Sequence, residues 1–271
     1  MTTTVHGVEE VLRRCREEGR AALIGYLPVG FPTVEGSIEA MRVLVEAGCD
    51  VVEVGVPYSD PLMDGPVIQH AVATALERGA RVDDVFRATD AVRAAGGTPL
   101  VMTYWNLVMR RGVERFAADL AAHGGAGLIT PDLVPDEAQE WVAASDAHGL
   151  DRVFLVAPSS TPERLATVTA ATRGFVYAAS TMGVTGARSS VDADARGLVE
   201  RTKAVTDLPV CVGLGVSTGA QAAELAGFAD GVIVGSALVR CLTGPGELPE
   251  HLDALRALTT QLAQGVRSGR P

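Results

Sequence analysis

A single (β/α)8 barrel is the fold this sequence predicts, and three observations predict it. Short β-branched apolar runs alternate with amphipathic helical segments along the whole chain, the pattern of a parallel sheet covered by helices. Eight such runs fall within 271 residues, and the fold takes roughly 250. No Gly-rich dinucleotide fingerprint follows the first run, where Tyr26-Leu27-Pro28-Val29-Gly30-Phe31-Pro32-Thr33 stands instead. That absence disfavours the alternative, an open doubly wound sheet.

Strands are expected at Ala22–Leu27, Asp50–Val54, Pro99–Thr103, Gly127–Thr130, Arg152–Val156, Gly174–Ala178, Pro209–Gly213 and Asp230–Val234. Several read as nearly continuous apolar strands, as expected where helices cover both faces. In Val34–Ala47 the residues Ile38, Met41 and Val45 share a helical face, and in Val113–His123 so do Val113, Phe116 and Leu120. Glycine follows Ala47, His123 and His148, where a helix would stop in a left-handed turn. The stretch after the second strand holds two helices, Pro66–Arg78 and Val82–Ala95. An N-terminal helix, about residues 5–18, precedes the first strand and is placed to close the barrel's bottom. Residues 265–271 are expected to fray. No interdomain linker is visible, so residues 1–271 are read as one domain.

Composition narrows the function. Hydrophobic residues make up 47% of the chain, which excludes a disordered protein. With 23 basic against 33 acidic side chains the formal charge is −10, so bulk attraction to nucleic acid or an anionic membrane is disfavoured. No apolar run approaches the roughly 18 residues of a membrane span, and the N-terminal MTTTVHGVEEVLRRC has no apolar core of a signal peptide. A cytoplasmic protein is expected. Cys15, Cys49, Cys211 and Cys241 show no CxxC spacing, and the five histidines no ligand spacing, so no metal site is expected. The single lysine, Lys203, lies in the helix after the sixth strand, away from strand ends. Schiff-base chemistry would need one in the pocket.

In such a barrel the chemistry gathers at the carboxyl ends of the strands. Three late loops there are rich in glycine: Gly183-Val184-Thr185-Gly186, Gly213-Leu214-Gly215 and Gly235-Ser236. Glycines let the main chain approach a ligand, and a helix opening at Ser236 offers N–H groups to a phosphate. Glu53 interrupts an apolar strand, where an ionised carboxylate is costly unless it has a partner or a task. Desolvation there would raise its pKa toward general acid–base use. The loop that follows carries Asp60 and Asp64 between prolines. Either could face the pocket or cap a turn, and spacing does not choose between them. Carboxylates acting on a phosphorylated substrate are the chemistry left. Any carbon–carbon cleavage would need an electron sink within that substrate.

The stretch Val52-Glu53-Val54-Gly55-Val56-Pro57-Tyr58-Ser59-Asp60-Pro61-Leu62-Met63-Asp64-Gly65-Pro66 resembles the tryptophan synthase alpha subunit family. It matches that family's strand glutamate and the loop P-[FY]-S-D-P-x-x-D-G-P, with Met63 where alanine is common. Tyr104–Asn106 and the late glycines follow in family-like order, and the resemblance spans nearly the whole chain. It implies reversible cleavage of indole-3-glycerol phosphate to indole and glyceraldehyde 3-phosphate. On the same basis Glu53 is the general acid–base, and Asp64 accepts the indole N–H and stabilises charge on the ring. Tyr26, Ile68, Met102, Leu128 and Tyr177 correspond to indole-pocket positions. Gly186, Gly213, Leu214, Gly215, Gly235 and Ser236 match the phosphate cradle, and Ser180–Val191, with Thr185, matches a substrate-covering loop. Asp60 and Asn106 fall where the family orders its loop and docks a partner. That partner is a pyridoxal-phosphate-bearing beta subunit, in an assembly of two alpha and two beta chains, to which indole passes. The alpha chain itself is expected to carry no cofactor. The alternatives are a stand-alone indole-glycerol-phosphate lyase and a non-catalytic barrel that activates a partner.

Overall fold

The computed structural model describes residues 7–179, 193–213 and 215–269. Nine strands are parallel neighbours: β1 (Ala22–Pro28), β2 (Val51–Gly55), β3 (Thr98–Met102), β4 (Gly127–Ile129), β5 (Asp151–Val153), β6 (Leu155–Val156), β7 (Val176–Ala179), β8 (Val210–Gly213) and β9 (Gly231–Val234). Hydrogen bonding orders them β5-β4-β3-β2-β1-β9-β8-β7-β6. The two ends of that series, β5 and β6, are halves of one expected strand, parted only at the buried Phe154. Covalent chain therefore bridges the seam, and the sheet closes into the expected barrel.

Twelve α-helices coat it among the described residues: α1 (Val8–Glu17), α2 (Val34–Glu46), α3 (Pro66–Glu77), α4 (Val82–Ala94), α5 (Trp105–Arg111), α6 (Val113–Ala122), α7 (Gln139–His148), α8 (Pro162–Ala171), α9 (Ala193–Lys203), α10 (Gly219–Ala226), α11 (Ser236–Cys241) and α12 (Leu248–Ser268). Local chemistry sets their ends. Thr33, Thr161 and Thr218 side chains accept N–H groups in the first turns of α2, α8 and α10. Gly48, Gly124 and Gly149 take φ of 108°, 71° and 65° after α2, α6 and α7, the left-handed stops their positions implied.

Strand alternation sorts the core into two clusters. One lies between sheet and helices and holds Leu23, Val52, Val101 and Leu128. The other fills the barrel with Ile24, Val51, Leu100, Ile129, Val153, Phe175 and Cys211. Helix α1 joins the second cluster through Val8, Val11, Leu12 and Cys15, so it plugs the bottom. Asp151, at the amino end of β5, accepts the Val8 N–H at 2.7 Å and fixes that helix in place. Lys203 sits at the same end, 2.9 Å from Asp230, on the side opposite the barrel mouth.

One expectation needs correction. Residues 265–268 do not fray: α12 runs to Ser268, and Gly265 and Val266 are buried. A methyl group on Gly265 would stand 2.2 Å from the carbonyl oxygen of Gly219. Helices α12 and α10 thus meet backbone to backbone, and this contact outweighs the tendency of a terminus to loosen.

The same contact reverses an ordinary substitution effect. Alanine for a mid-helix glycine normally stabilises by about 0.5–1 kcal/mol, and Gly197→Ala, in α9 with open space around it, is expected to raise Tm. Gly265→Ala is expected to lower Tm by several degrees. Thermal melts of both variants beside the parent check the pair.

Candidate active site

The mouth of the barrel is built from alternate residues at the carboxyl ends of its strands. Register places Tyr26 of β1 beside Glu53 of β2. These inward positions leave a cavity open at the barrel mouth. Tyr26, Glu53, Asp64, Ile68, Met102, Tyr177, Gly213, Gly215, Gly235 and Ser236 all line it, so most of the expected site converges.

Glu53 is 1% exposed, and among the described residues its Oε2 has no hydrogen-bond partner. Burial in apolar surroundings, and then the nearby charge of Asp64, push its pKa up to about 8. Asp64 is 7% exposed, at the end of the loop that enters α3, with Gly65 as N-cap and Pro66 as first helical residue. Burial raises its pKa to about 6. Near neutral pH the cavity therefore holds one carboxylic acid and one carboxylate. This is the division of labour that an acid–base pair requires.

Two tyrosines wall the cavity because glycines make room for them. A methyl group on Gly55 would lie 2.5 Å from the Tyr26 hydroxyl, and one on Gly213 would lie 2.4 Å from that of Tyr177. Gly213 thus clears space for a ring as well as lining the cavity. Gly215, Gly235 and Ser236 line the same cavity, with Gly235 against the Tyr26 ring, where α11 begins and its first N–H groups have no intrahelical acceptor.

Leu128 does not reach the cavity. It packs in the outer cluster against the helices, and its neighbour Ile129 lines the pocket instead. Side chains alternate along a strand, so a one-residue slip moves a position to the opposite face. Thr185, Gly186, Leu214 and the stretch Ser180–Val191 lie outside the described residues. Asp60 and Asn106 sit on the exposed rim and not among the lining residues. Asp60 accepts the Ser59 hydroxyl at 2.6 Å, and Asn106 donates to the Tyr58 hydroxyl at 3.4 Å. Met63, Leu155, Val216, Ile233 and Ala237 also line the pocket. Period-two reading outward from Val153 and Gly231 would have found Leu155 and Ile233.

The model of the tryptophan synthase alpha chain family matches residues 12–267. The chain belongs to that family. An alpha chain of Mycobacterium marinum is 66% identical over 253 residues, covering 93% of this chain and 92% of the relative. One of Mycobacterium tuberculosis is 64% identical over 259 residues, covering 96% and 94%. A solved structure of Mycobacterium tuberculosis tryptophan synthase superposes with a TM-score of 0.91 at 63% identity, covering 96% of this chain and 98% of that one. An alpha subunit of Legionella pneumophila retains a TM-score of 0.85 at 30% identity, over 96% of this chain and 97% of its own. Membership makes the chain a carbon–carbon lyase, the indole-3-glycerol-phosphate-cleaving subunit of its enzyme.

The buried acid has a measurable consequence for stability. Because the folded state raises the Glu53 pKa to about 8, its contribution is fully present below the unfolded value and is lost as pH rises through about 8. At pH 9 an ionised Glu53 costs the fold a few kcal/mol. Glu53→Gln is therefore expected to melt higher than the parent at pH 9, with the gap closing toward pH 5. Melts across that range check the sign.

Proposed function

We propose that Glu53 is the general acid–base of the cleavage, that Asp64 stabilises the charge on the ring, and that the glycines lining the cavity hold the substrate phosphate. The observation that carries this is the pair itself: two buried carboxyl groups in one cavity, with pKa values moved to about 8 and about 6. In this reading the protonated Glu53 delivers its proton to indole C3. The ring becomes an indoleninium cation, and the ionised Asp64 faces the developing charge through the indole N–H. Glu53, now a carboxylate, takes the proton from the glycerol hydroxyl next to the ring. The carbon–carbon bond breaks and its electrons return to the ring, giving indole and glyceraldehyde 3-phosphate. One proton leaves Glu53 and one comes back, so the cycle closes without another acid.

Tyr26, Ile68, Met102, Ile129 and Tyr177 are the walls that would hold the bicyclic ring, all lining the cavity. Gly213, Gly215, Gly235 and Ser236 would cradle the phosphate, with Gly186 and Leu214 assigned there by the family pattern alone. Main-chain N–H groups suffice for this, which explains how an acidic protein with a single lysine takes an anionic substrate. Thr185 belongs to the covering loop of the same pattern.

The alpha chain works with a beta subunit, as the solved tryptophan synthase complexes among its structural relatives indicate. The exposed rim of Asp60, Leu62 and Asn106 is the face we assign to that partner, in an assembly of two alpha and two beta chains. Pyridoxal phosphate belongs, in this reading, to the beta subunit, which would receive the indole. A cytoplasmic setting is part of the same proposal. Among the described residues no helix is long and apolar enough to cross a membrane.

Three outcomes are expected. The purified chain releases indole from indole-3-glycerol phosphate, faster with a beta subunit; no release under either condition would overturn the reading. Glu53→Gln loses about 10³-fold or more in kcat and Asp64→Asn about 10²-fold, while both keep the fold and bind an indolyl alkyl phosphate. The profile of kcat/KM against pH is bell-shaped, because activity needs Asp64 ionised and Glu53 protonated, with limbs near 6 and 8.

A further inference from the structure

Asp64 stands in a loop that supplies little to hold itself. Leu62 is 71% exposed, so it contributes no buried anchor two residues before the carboxylate. Pro61 and Pro66 have no N–H to donate. Support comes instead from the next strand end. The main-chain N–H groups of Leu62 and Met63 both donate to the phenol oxygen of Tyr104, at 3.0 and 3.1 Å. Tyr104 is itself buried and packs, tilted by 31°, against Tyr58 at the start of the same loop, with ring centroids 5.0 Å apart. Its own position is set from a third loop: the Asp132 carboxylate accepts the N–H of the adjacent Trp105 at 2.9 Å. On the far side of Asp64, its carbonyl oxygen accepts the Gln69 side-chain amide at 2.8 Å.

We propose that Tyr104 is the positioning residue for Asp64, its hydroxyl pinning the two peptides that precede the carboxylate so that Asp64 faces the reacting ring. This rests on the assignment of Asp64 as the group that stabilises charge on the indole. Tyr104 does not line the cavity and touches no reacting atom. It acts through two peptide N–H groups, and the oxygen that receives them is the one atom Tyr104→Phe removes. Ring packing against Tyr58 survives that change, so the fold should too. Without the oxygen the loop loosens and Asp64 gains access to water, which relieves the burial that raises its pKa.

The test is Tyr104→Phe alone and combined with Asp64→Asn. The single variant should melt near the parent and keep its KM, since ring and phosphate are held by other elements. Its kcat should fall about 10- to 100-fold, as for a catalytic group displaced by about an ångström. The acid limb of its kcat/KM profile should move to lower pH. In the Asp64→Asn background the same change should alter kcat by less than about twofold, because the group it positions is gone. Hydrogen exchange should accelerate at the amides of Leu62 and Met63 and not across the barrel. Parent-like kcat and acid limb in Tyr104→Phe, or an equal loss in both backgrounds, would overturn the role. A parent chain that cleaves no indole-3-glycerol phosphate would sink the reaction and this role together. Unchanged exchange at the two amides would sink the role alone.

Discussion

Burial of a carboxyl group among apolar side chains is the constraint on which this molecule turns. Glu53 occupies an inward position of a central strand, beside Tyr26 and Leu100 in register, where water cannot solvate its charge. Neutralising it with a basic neighbour would remove the cost and also the proton. The barrel instead leaves Oε2 without a partner among the described residues and places a second carboxylate nearby. The strain of that choice appears as a raised pKa. In the proposed reaction its use is a proton available near neutral pH.

The two ends of the barrel treat charge in opposite ways. At the amino ends of the strands, buried charges are satisfied: Arg20 forks onto Asp50 at 2.8 Å, Lys203 meets Asp230 at 2.9 Å, and Asp151 accepts the first N–H of α1. Those contacts tie the plug and the strand starts together. At the carboxyl ends, Glu53 and Asp64 face an open cavity. Satisfied charges and the cavity thus occupy opposite poles of one sheet. Glycine serves both poles. Gly265 lets α12 lie on α10, while Gly55 and Gly213 clear volume for the Tyr26 and Tyr177 rings.

Much of this was legible in the chain. Parallel strands buried on both faces must be apolar nearly throughout, so eight strands could be read from runs such as Val51-Val52 and Val232-Ile233-Val234. Glu53 was conspicuous because it breaks one of those runs, and left-handed helix stops betray themselves as glycine. Faces were harder. With strands such as β2 and β4 buried on both faces, hydrophobicity no longer distinguishes inward from outward, which is why Leu128 stood where Ile129 belongs. The end of α12 is hidden for a related reason: a glycine near a terminus looks loose until the helix it touches is known.

What the sequence determined by itself was composition at a distance of a few residues: the strand and helix periods, the turn glycines, the carboxylate inside an apolar run, and the loop pattern that marks the family. These are local facts, set by backbone sterics and by the spacing of side chains along one element. Tertiary structure alone decided which side of each strand faces the cavity, that Asp64 and not Asp60 enters it, and that a tyrosine at the end of the neighbouring strand holds the loop between them. Each of those depends on closing the sheet into a ring, and ring closure is a relation among segments far apart in the chain that no single stretch encodes.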